Sequence, residues 1–246
     1  MRTSSQRAGI FAVLGAALCF GTTGTTQQLG VADISPVAVA SARLICGSLF
    51  LLIYLVSRRS SEINYRMPTL DLLISGAGIA MYQLTFFSAV HLTGIAISTV
   101  TALGAAPTFS ALVAFLILGE KPQRSWYLGT AVTIFGIILV GTANGISGFS
   151  AAGVGLAALA GFGFAVFNVL CRKSLERGAS DLSVTYILFM YGLKRISSSM
   201  AATVVLAEPA TATLLAALVI GEPLVAQSYI GVVTVAVGIL YISKKK

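Results

Sequence analysis

The chain has 246 residues, of which 57% are hydrophobic and only 10% are charged. In a soluble domain about a quarter of the residues are charged, so this chain has too few charged residues to cover a water-facing surface. Its mean hydropathy of +0.92 fits a surface that faces lipid. The net charge of +8 comes from short basic clusters between apolar runs, so we expect the lipid bilayer as a partner and no nucleic acid.

Apolar stretches long enough to cross a bilayer, for which a helix needs about 20 residues, recur along the whole chain. A further stretch, 182–193, is too short to cross unaided. We therefore predict an all-α transmembrane fold with about nine helical segments. The long stretches are 8–28, 34–56, 70–90, 94–118, 126–142, 151–170, 197–220 and 224–242.

Lysines and arginines lie at alternate ends of these stretches. Basic clusters precede the first stretch and follow the second, fourth and sixth, whereas the connections around Asp33, around His91 and along 141–150 contain none. Because cytoplasmic loops carry the excess of basic residues, we expect the N-terminus inside. The expected location is a bacterial cytoplasmic (inner) membrane.

An internal repeat relates the two halves of the chain. The segment 105–120 aligns without gaps with 207–222 at an offset of 102 residues, and 16–18 aligns with 157–159 at an offset of 141. The offsets differ by 39 residues, so the second copy lacks about one helix and a loop.

We predict a parent fold of ten helices in two five-helix copies, 1–148 and 149–246, the second shortened near 182–193. Because five is odd, the copies must cross the membrane in opposite senses, as in many secondary transporters. Gly129 and Gly136 align with Gly231 and Gly238, and their spacing predicts close helix packing.

The chain contains three further motifs: Pro36 with Arg43, Pro107 through Gly119-Glu120, and Lys194-Arg195-Ile196-Ser197 leading to Glu208-Pro209 and Gly221-Glu222. Together they resemble the motifs of the EamA-type transporters of the drug/metabolite transporter superfamily over nearly the whole chain. The resemblance implies ten helices and the export or import of small metabolites, often amino acids or related compounds. The chain departs from the family at the shortened second copy and at Phe20-Gly21-Thr22, where a tryptophan is common.

We interpret the chain as a secondary transporter that works by alternating access around a cavity near the membrane midplane. The alternative is a non-transporting, truncated membrane protein or scaffold, which the shortened copy favours. An enzyme is not expected, because HExxH and a helical GxSxG are absent from the sequence. Three cysteines and one histidine form no cluster, so neither a metal nor a cofactor is expected.

Two charged residues are the first candidates for a substrate site. A charge at the depth of Arg43 costs about 2.5–3.5 kcal/mol, so this side chain should face protein or water. It could bind a substrate carboxylate or phosphate, or it could lock helices together through an ion pair. Glu208, directly before Pro209, should either pair with a cation or stay protonated. Reversible protonation would suit proton coupling, and a structural bond at the helix kink is the alternative.

Uncharged polar residues complete the prediction. Each could line the cavity or merely join two helices by a hydrogen bond. Pro107 and Pro209 are predicted helix kinks. Trp126 fits the aromatic belt at a membrane interface, and Glu120 is expected at the same interface. The polar candidates are Thr22, Thr23, Tyr82, Gln83, Ser98, Thr101 and Asn168.

Overall fold

The computed structural model describes residues 2–31, 69–143, 149–177, 191–221 and 224–244. It also describes the single residues 38, 41, 42, 45, 46, 49, 145 and 189. The side chains of 2–5, 23–31, 95, 96, 216, 220 and 244 are not described. The predicted second helix, with Pro36 and Arg43, and most of 182–193 therefore lie outside the described residues.

The described residues form helices and connections, with no strand among them. Thr69–Leu118 is one assigned element, but Gly94 inside it has φ 80° and ψ 161°, which divides it into two membrane-length helices. These results confirm the all-α transmembrane fold. The helices are α1 (Arg2–Val31), α2 (Leu70–Gly94), α3 (Ile97–Leu118), α4 (Arg124–Thr142), α5 (Ala151–Glu176), α6 (Ser198–Val205), α7 (Ala207–Leu215) and α8 (Ala226–Lys244), with a π-helical turn at Ala216–Ile220 after α7.

Helices long and apolar enough to cross a membrane are α2, α3, α4, α5, α8 and the combined segment Ser198–Val219.

The repeat-related spans end in the same way, at a glycine with positive φ. Gly119 after α3 and Gly221 after the π-helical turn both have positive φ, 68° and 80°, which only glycine adopts without strain. At Gly119 the chain turns back, so that Glu120 donates its amide N–H to the Ala114 carbonyl at 3.3 Å.

The repeat-related helices α4 and α8 pack closely in opposite directions. A Cβ built on Gly129 would lie 3.1 Å from the Gly238 carbonyl oxygen, and one built on Gly136 would lie 2.9 Å from that of Gly231. The residue nearer the start of α4 thus meets the residue nearer the end of α8. This confirms the predicted glycine packing and shows that these two repeat-related helices run antiparallel, as inverted copies require.

The ends of the helices that carry basic residues meet at one end of the bundle, which we call the basic end. Arg195 lies beside Gly9 of α1, whose added Cβ would be 2.8 Å from the Arg195 Cβ. Glu120 and Asp71 also lie there, paired with basic residues of α5. At the opposite end, the Ser150 N–H donates to Thr93 Oγ1 at 3.2 Å, and the sequence of these connections contains no lysine or arginine.

Candidate functional site

The span Ser198–Val219 is interrupted near its middle. α6 ends at Val205 and α7 begins at Ala207, because Pro209 has no N–H to donate to the Val205 carbonyl and its ring crowds that carbonyl. Leu206 instead donates its N–H to the backbone carbonyl of Thr203 at 3.1 Å, which forms a tighter turn. At 1.5 Å per residue, Glu208 lies roughly 15 Å from Ser198, about half the thickness of the hydrocarbon core.

Pro107, which aligns with Pro209, lies inside a helix that is not interrupted. Within Thr69–Leu118 the backbone leaves helical φ/ψ values only at Gly94. The two copies therefore differ here, since one carries Ala106 in a continuous helix and the other carries Glu208 at a break.

Helix α1 packs directly against this break. A Cβ on Gly21 would lie 3.0 Å from the Glu208 carbonyl oxygen and 2.8 Å from Thr211 Cβ, so only glycine fits without displacement. Thr22 follows and donates its hydroxyl to the Cys19 carbonyl at 2.7 Å. Glu208 is half-buried. The structure thus places the segment that carries Thr22 beside the break that carries Glu208, while the side chain of Thr23 is not described.

Tyr82 belongs to an aromatic cluster between α2 and α5. Its ring centroid lies 5.8 Å from that of Phe86 and 5.7 Å from that of Phe164. The helices can approach because a Cβ on Gly163 would come within 2.6 Å of the Gly78 carbonyl oxygen. Gln83 is half-buried on the same helix.

The remaining uncharged candidates differ in their surroundings. Ser98 is fully buried and donates to the Gly94 carbonyl at 2.7 Å, which uses its hydroxyl within its own helix. Thr101 is half-buried. Asn168 is fully buried, and its Nδ2 donates to the Ser198 carbonyl at 3.0 Å and to Ser110 Oγ at 3.5 Å. Asn168 therefore joins α5 to α3 and α6.

An ion-pair network at the basic end, which was not predicted from the sequence, is centred on Arg172 of α5. Its guanidinium lies 3.5 Å from Glu120 and 2.7 Å from Glu176. It also donates to the carbonyl oxygens of Leu193 and Ile196, in the segment that leads into α6. One guanidinium thus connects α5, the α3–α4 connection and the entry to α6.

Glu120 completes this network from the other side. Its Oε2 accepts the backbone N–H of Ser198 at 3.3 Å, the first residue of α6. Burial raises the pKa of this carboxyl above its ordinary value, against the opposing charge of Arg172 and the Ser198 hydrogen bond, while Glu176 adds to the rise. The carboxylate is therefore held at a place where its charge is only partly compensated.

A second pair of contacts lies nearby. Asp71 at the start of α2 lies 3.0 Å from Lys173 of α5 and 3.6 Å from Arg177, which directly follows α5. Asp71 and Lys173 are 102 residues apart in the chain, so no local motif could have indicated their contact. Two acidic residues of the first copy thus pair with basic residues of the second.

The prediction for Trp126 is wrong. Only 6% of this residue is exposed, and its indole N–H donates to the Ser199 carbonyl and to Thr203 Oγ1, both at 3.1 Å. Thr203 donates to the Ser199 carbonyl at 3.0 Å, so the hydroxyl of Thr130, 2.9 Å away, must donate to Thr203. Trp126 lies between helices because α6 supplies the partners that its N–H needs.

These features define a polytopic helical membrane protein with an antiparallel pair of repeat-related helices and one span that is broken near its middle. The EamA-like transporter family matches residues 7–142 and 177–244. The chain belongs to the EamA-like transporter family, as its motifs had predicted.

One relative supports this assignment, and one solved structure shares the fold. The chain is 31% identical over 274 residues to the uncharacterized transporter YwfM of Bacillus subtilis (strain 168), with 94% of this chain and 92% of that protein covered. A solved structure titled only "Crystal structure of protein" has a TM-score of 0.75 and 17% identity, and the match covers 99% of each chain. This second likeness shows the fold alone.

The alignment with YwfM also gives the size of the shortening. It runs over 274 positions, whereas 94% of this chain is only about 231 residues. About 43 positions thus have no counterpart here, close to the difference of 39 residues between the two repeat offsets. Relative to YwfM, this chain is therefore shorter by about 43 positions within the aligned region.

Proposed function

We propose that this protein is a secondary transporter that moves small metabolites, amino acids or related compounds, across the cytoplasmic membrane by alternating access. The observation that carries the proposal is the interruption of the helix at Pro209, which leaves Glu208 and the Val205 carbonyl at mid-depth. Interrupted helices of inverted repeats form the substrate sites of many transporters. The positive-inside rule puts the basic end, and with it the N-terminus, in the cytoplasm.

The proposed substrate site lies between the two copies. Arg43 would bind a carboxylate or phosphate of the substrate, and Glu208 would take up and release a coupled proton or contact an amino group. The packing of Gly21 against Glu208 supports a role for Thr22 and Thr23 at this level. Polar contacts would come from Tyr82, Gln83, Ser98, Thr101 and Asn168.

Transport by purified protein in liposomes tests this proposal. We expect the unsubstituted chain to accumulate at least one radiolabelled amino acid in a counterflow assay, and Glu208→Gln and Arg43→Ala to abolish accumulation. Thr234→Val is a control, because its hydroxyl bonds only the Ile230 carbonyl of its own helix, at 2.7 Å. Normal accumulation by both site variants would remove these residues from the mechanism.

A second candidate is a non-transporting membrane protein or scaffold, which the roughly 43 missing positions relative to YwfM favour. A missing single crossing would invert everything that follows it. A reporter fused after Lys246 distinguishes the candidates, since the transporter proposal requires the reporter in the cytoplasm. A periplasmic reporter would support the scaffold.

A further inference from the structure

The two ends of the broken helix differ in how completely they are packed. Every residue of α6 is buried, and so are Leu206 and Ala207, which follow it. From Glu208 to Val219, Ala210 alone is buried among the described side chains. The part of this helix that leads from Glu208 to the basic end is therefore enclosed by other helices, and the part that leads to the opposite end is not.

The contacts that close the basic end converge on Arg172, whose side chain is 15% exposed. A guanidinium has five N–H donors in a planar fork, and here they are shared among Glu120, Glu176 and the carbonyls of Leu193 and Ile196. Glu176 is on the same helix as Arg172, so that pair joins nothing new. The other contacts connect separate elements of both copies.

We propose that Arg172 is a latch that holds the basic end closed, and that its release opens the path from the level of Glu208 to the cytoplasm. This inference rests on the proposed transport function. Removal of the guanidinium leaves two backbone carbonyls without their donor, in a region where unpaired polar groups are costly.

Arg177 offers a matched control. It is the same residue type at the same end of α5, and it also pairs with another helix, through Asp71 at 3.6 Å. Its side chain is 50% exposed, so its ion pair is screened by solvent and contributes little. A latch effect should therefore follow Arg172 and not Arg177.

The experiment measures access to position 198 from the basic end. Cys19, Cys46 and Cys171 are replaced by serine and Ser198, which is fully buried, by cysteine; membrane vesicles are then treated with a membrane-impermeant maleimide. We expect Arg172→Gln to speed the labelling of this cysteine at least about fivefold, the lower range of typical couplings between sites. Arg177→Gln should label at the unsubstituted rate.

Arg172→Lys guards against misfolding. It keeps the charge but lacks the fork, so we expect an intermediate rate with the protein still monodisperse in detergent. Unchanged labelling in both Arg172 variants, or equal acceleration by Arg177→Gln, would overturn the latch. The assay needs no substrate, so a failure of transport in liposomes with a normal labelling response would refute the proposed function and not the latch.

Discussion

Gly136 of α4 and Gly231 of α8 contact each other reciprocally. A Cβ on Gly136 would lie 2.9 Å from the Gly231 carbonyl oxygen, and a Cβ on Gly231 would lie 2.8 Å from that of Gly136. Gly129 and Gly238 repeat this contact. Two repeat-related helices thus cross about a pseudo-two-fold axis, and backbone contact of this closeness excludes any side chain.

We predict that Gly136→Ala destabilises the protein by about 1–3 kcal/mol, because the added methyl overpacks the α4–α8 contact. The built Cβ would also meet the Val235 backbone nitrogen at 2.7 Å, and backbone cannot rotate away. Thermal unfolding in detergent measures the change. Gly155→Ala is the control, with no atom within 4 Å of its built Cβ; equal melting temperatures for the two variants would contradict the prediction.

Thr203→Val should destabilise the protein by about 1–2 kcal/mol. The hydroxyl of Thr203 accepts from both Trp126 and Thr130, so its loss leaves a buried donor without its partner. Thr234→Val removes a hydroxyl of the same type that bonds only within α8, and it should change the melting temperature little. A Thr203 variant as stable as the Thr234 variant would mean that the buried network contributes nothing.

Pro209→Ala should stabilise the protein and weaken transport. Alanine restores an N–H for the Val205 carbonyl, which lets α6 and α7 join into one helix. Pro107→Ala in the other copy is the matched control, since α3 is already continuous there. The measurements are the melting temperature and counterflow; equal loss of transport in both variants would show that the break itself has no special role.

Access to the basic end should depend on pH through Glu120, which faces Arg172 and Glu176 from α5 and the Ser198 amide from α6. Burial raises the pKa of Glu120 in the closed state, and exposure to water on opening would return this pKa toward its ordinary value. The closed state then binds the proton more tightly, so protonation favours closure. Any thiol reacts faster with maleimide at higher pH, because the thiolate is the nucleophile. The labelling rate at position 198 is therefore divided by that of an exposed cysteine at the same pH, and this ratio should rise as the pH rises through the Glu120 pKa.

Glu120→Gln resembles the protonated form and should remove this pH dependence while the cysteine stays protected. Glu176→Gln is the control, because that side chain is 45% exposed and pairs with Arg172 within one helix. It should leave the pH dependence intact. A labelling ratio at position 198 that falls as the pH rises would contradict this prediction.

The helices and their inverted relation could be predicted from the sequence, because membrane length and repeated glycines are local properties of the chain. The positions of Gly129 and Gly136 already specified which helix faces would pack. The surroundings of Trp126 could not be predicted, since its N–H partners come from α6, more than 70 residues later.

The candidate site was less predictable, because the partners of its residues lie far away in the sequence. The break at Pro209 follows from the missing N–H of proline, but nothing local indicates that the aligned Pro107 would leave α3 continuous. Basic residues at helix ends indicated a topology, yet their acidic partners Asp71 and Glu120 come from distant parts of the chain. Arg43, the strongest candidate for the substrate charge, lies outside the described residues and stays a prediction.

The antiparallel arrangement of the two copies is tested most directly by cross-linking α4 to α8. Gln227 Nε2 donates to Thr142 Oγ1 at 2.8 Å, so cysteines at positions 142 and 227 should be joined by a short thiol cross-linker in a protein otherwise free of cysteine. Cysteines at 142 and 243, at opposite ends of the bundle, should not. Efficient cross-linking of 142 to 243 without 142 to 227 would mean that the copies run in the same direction, which contradicts the account.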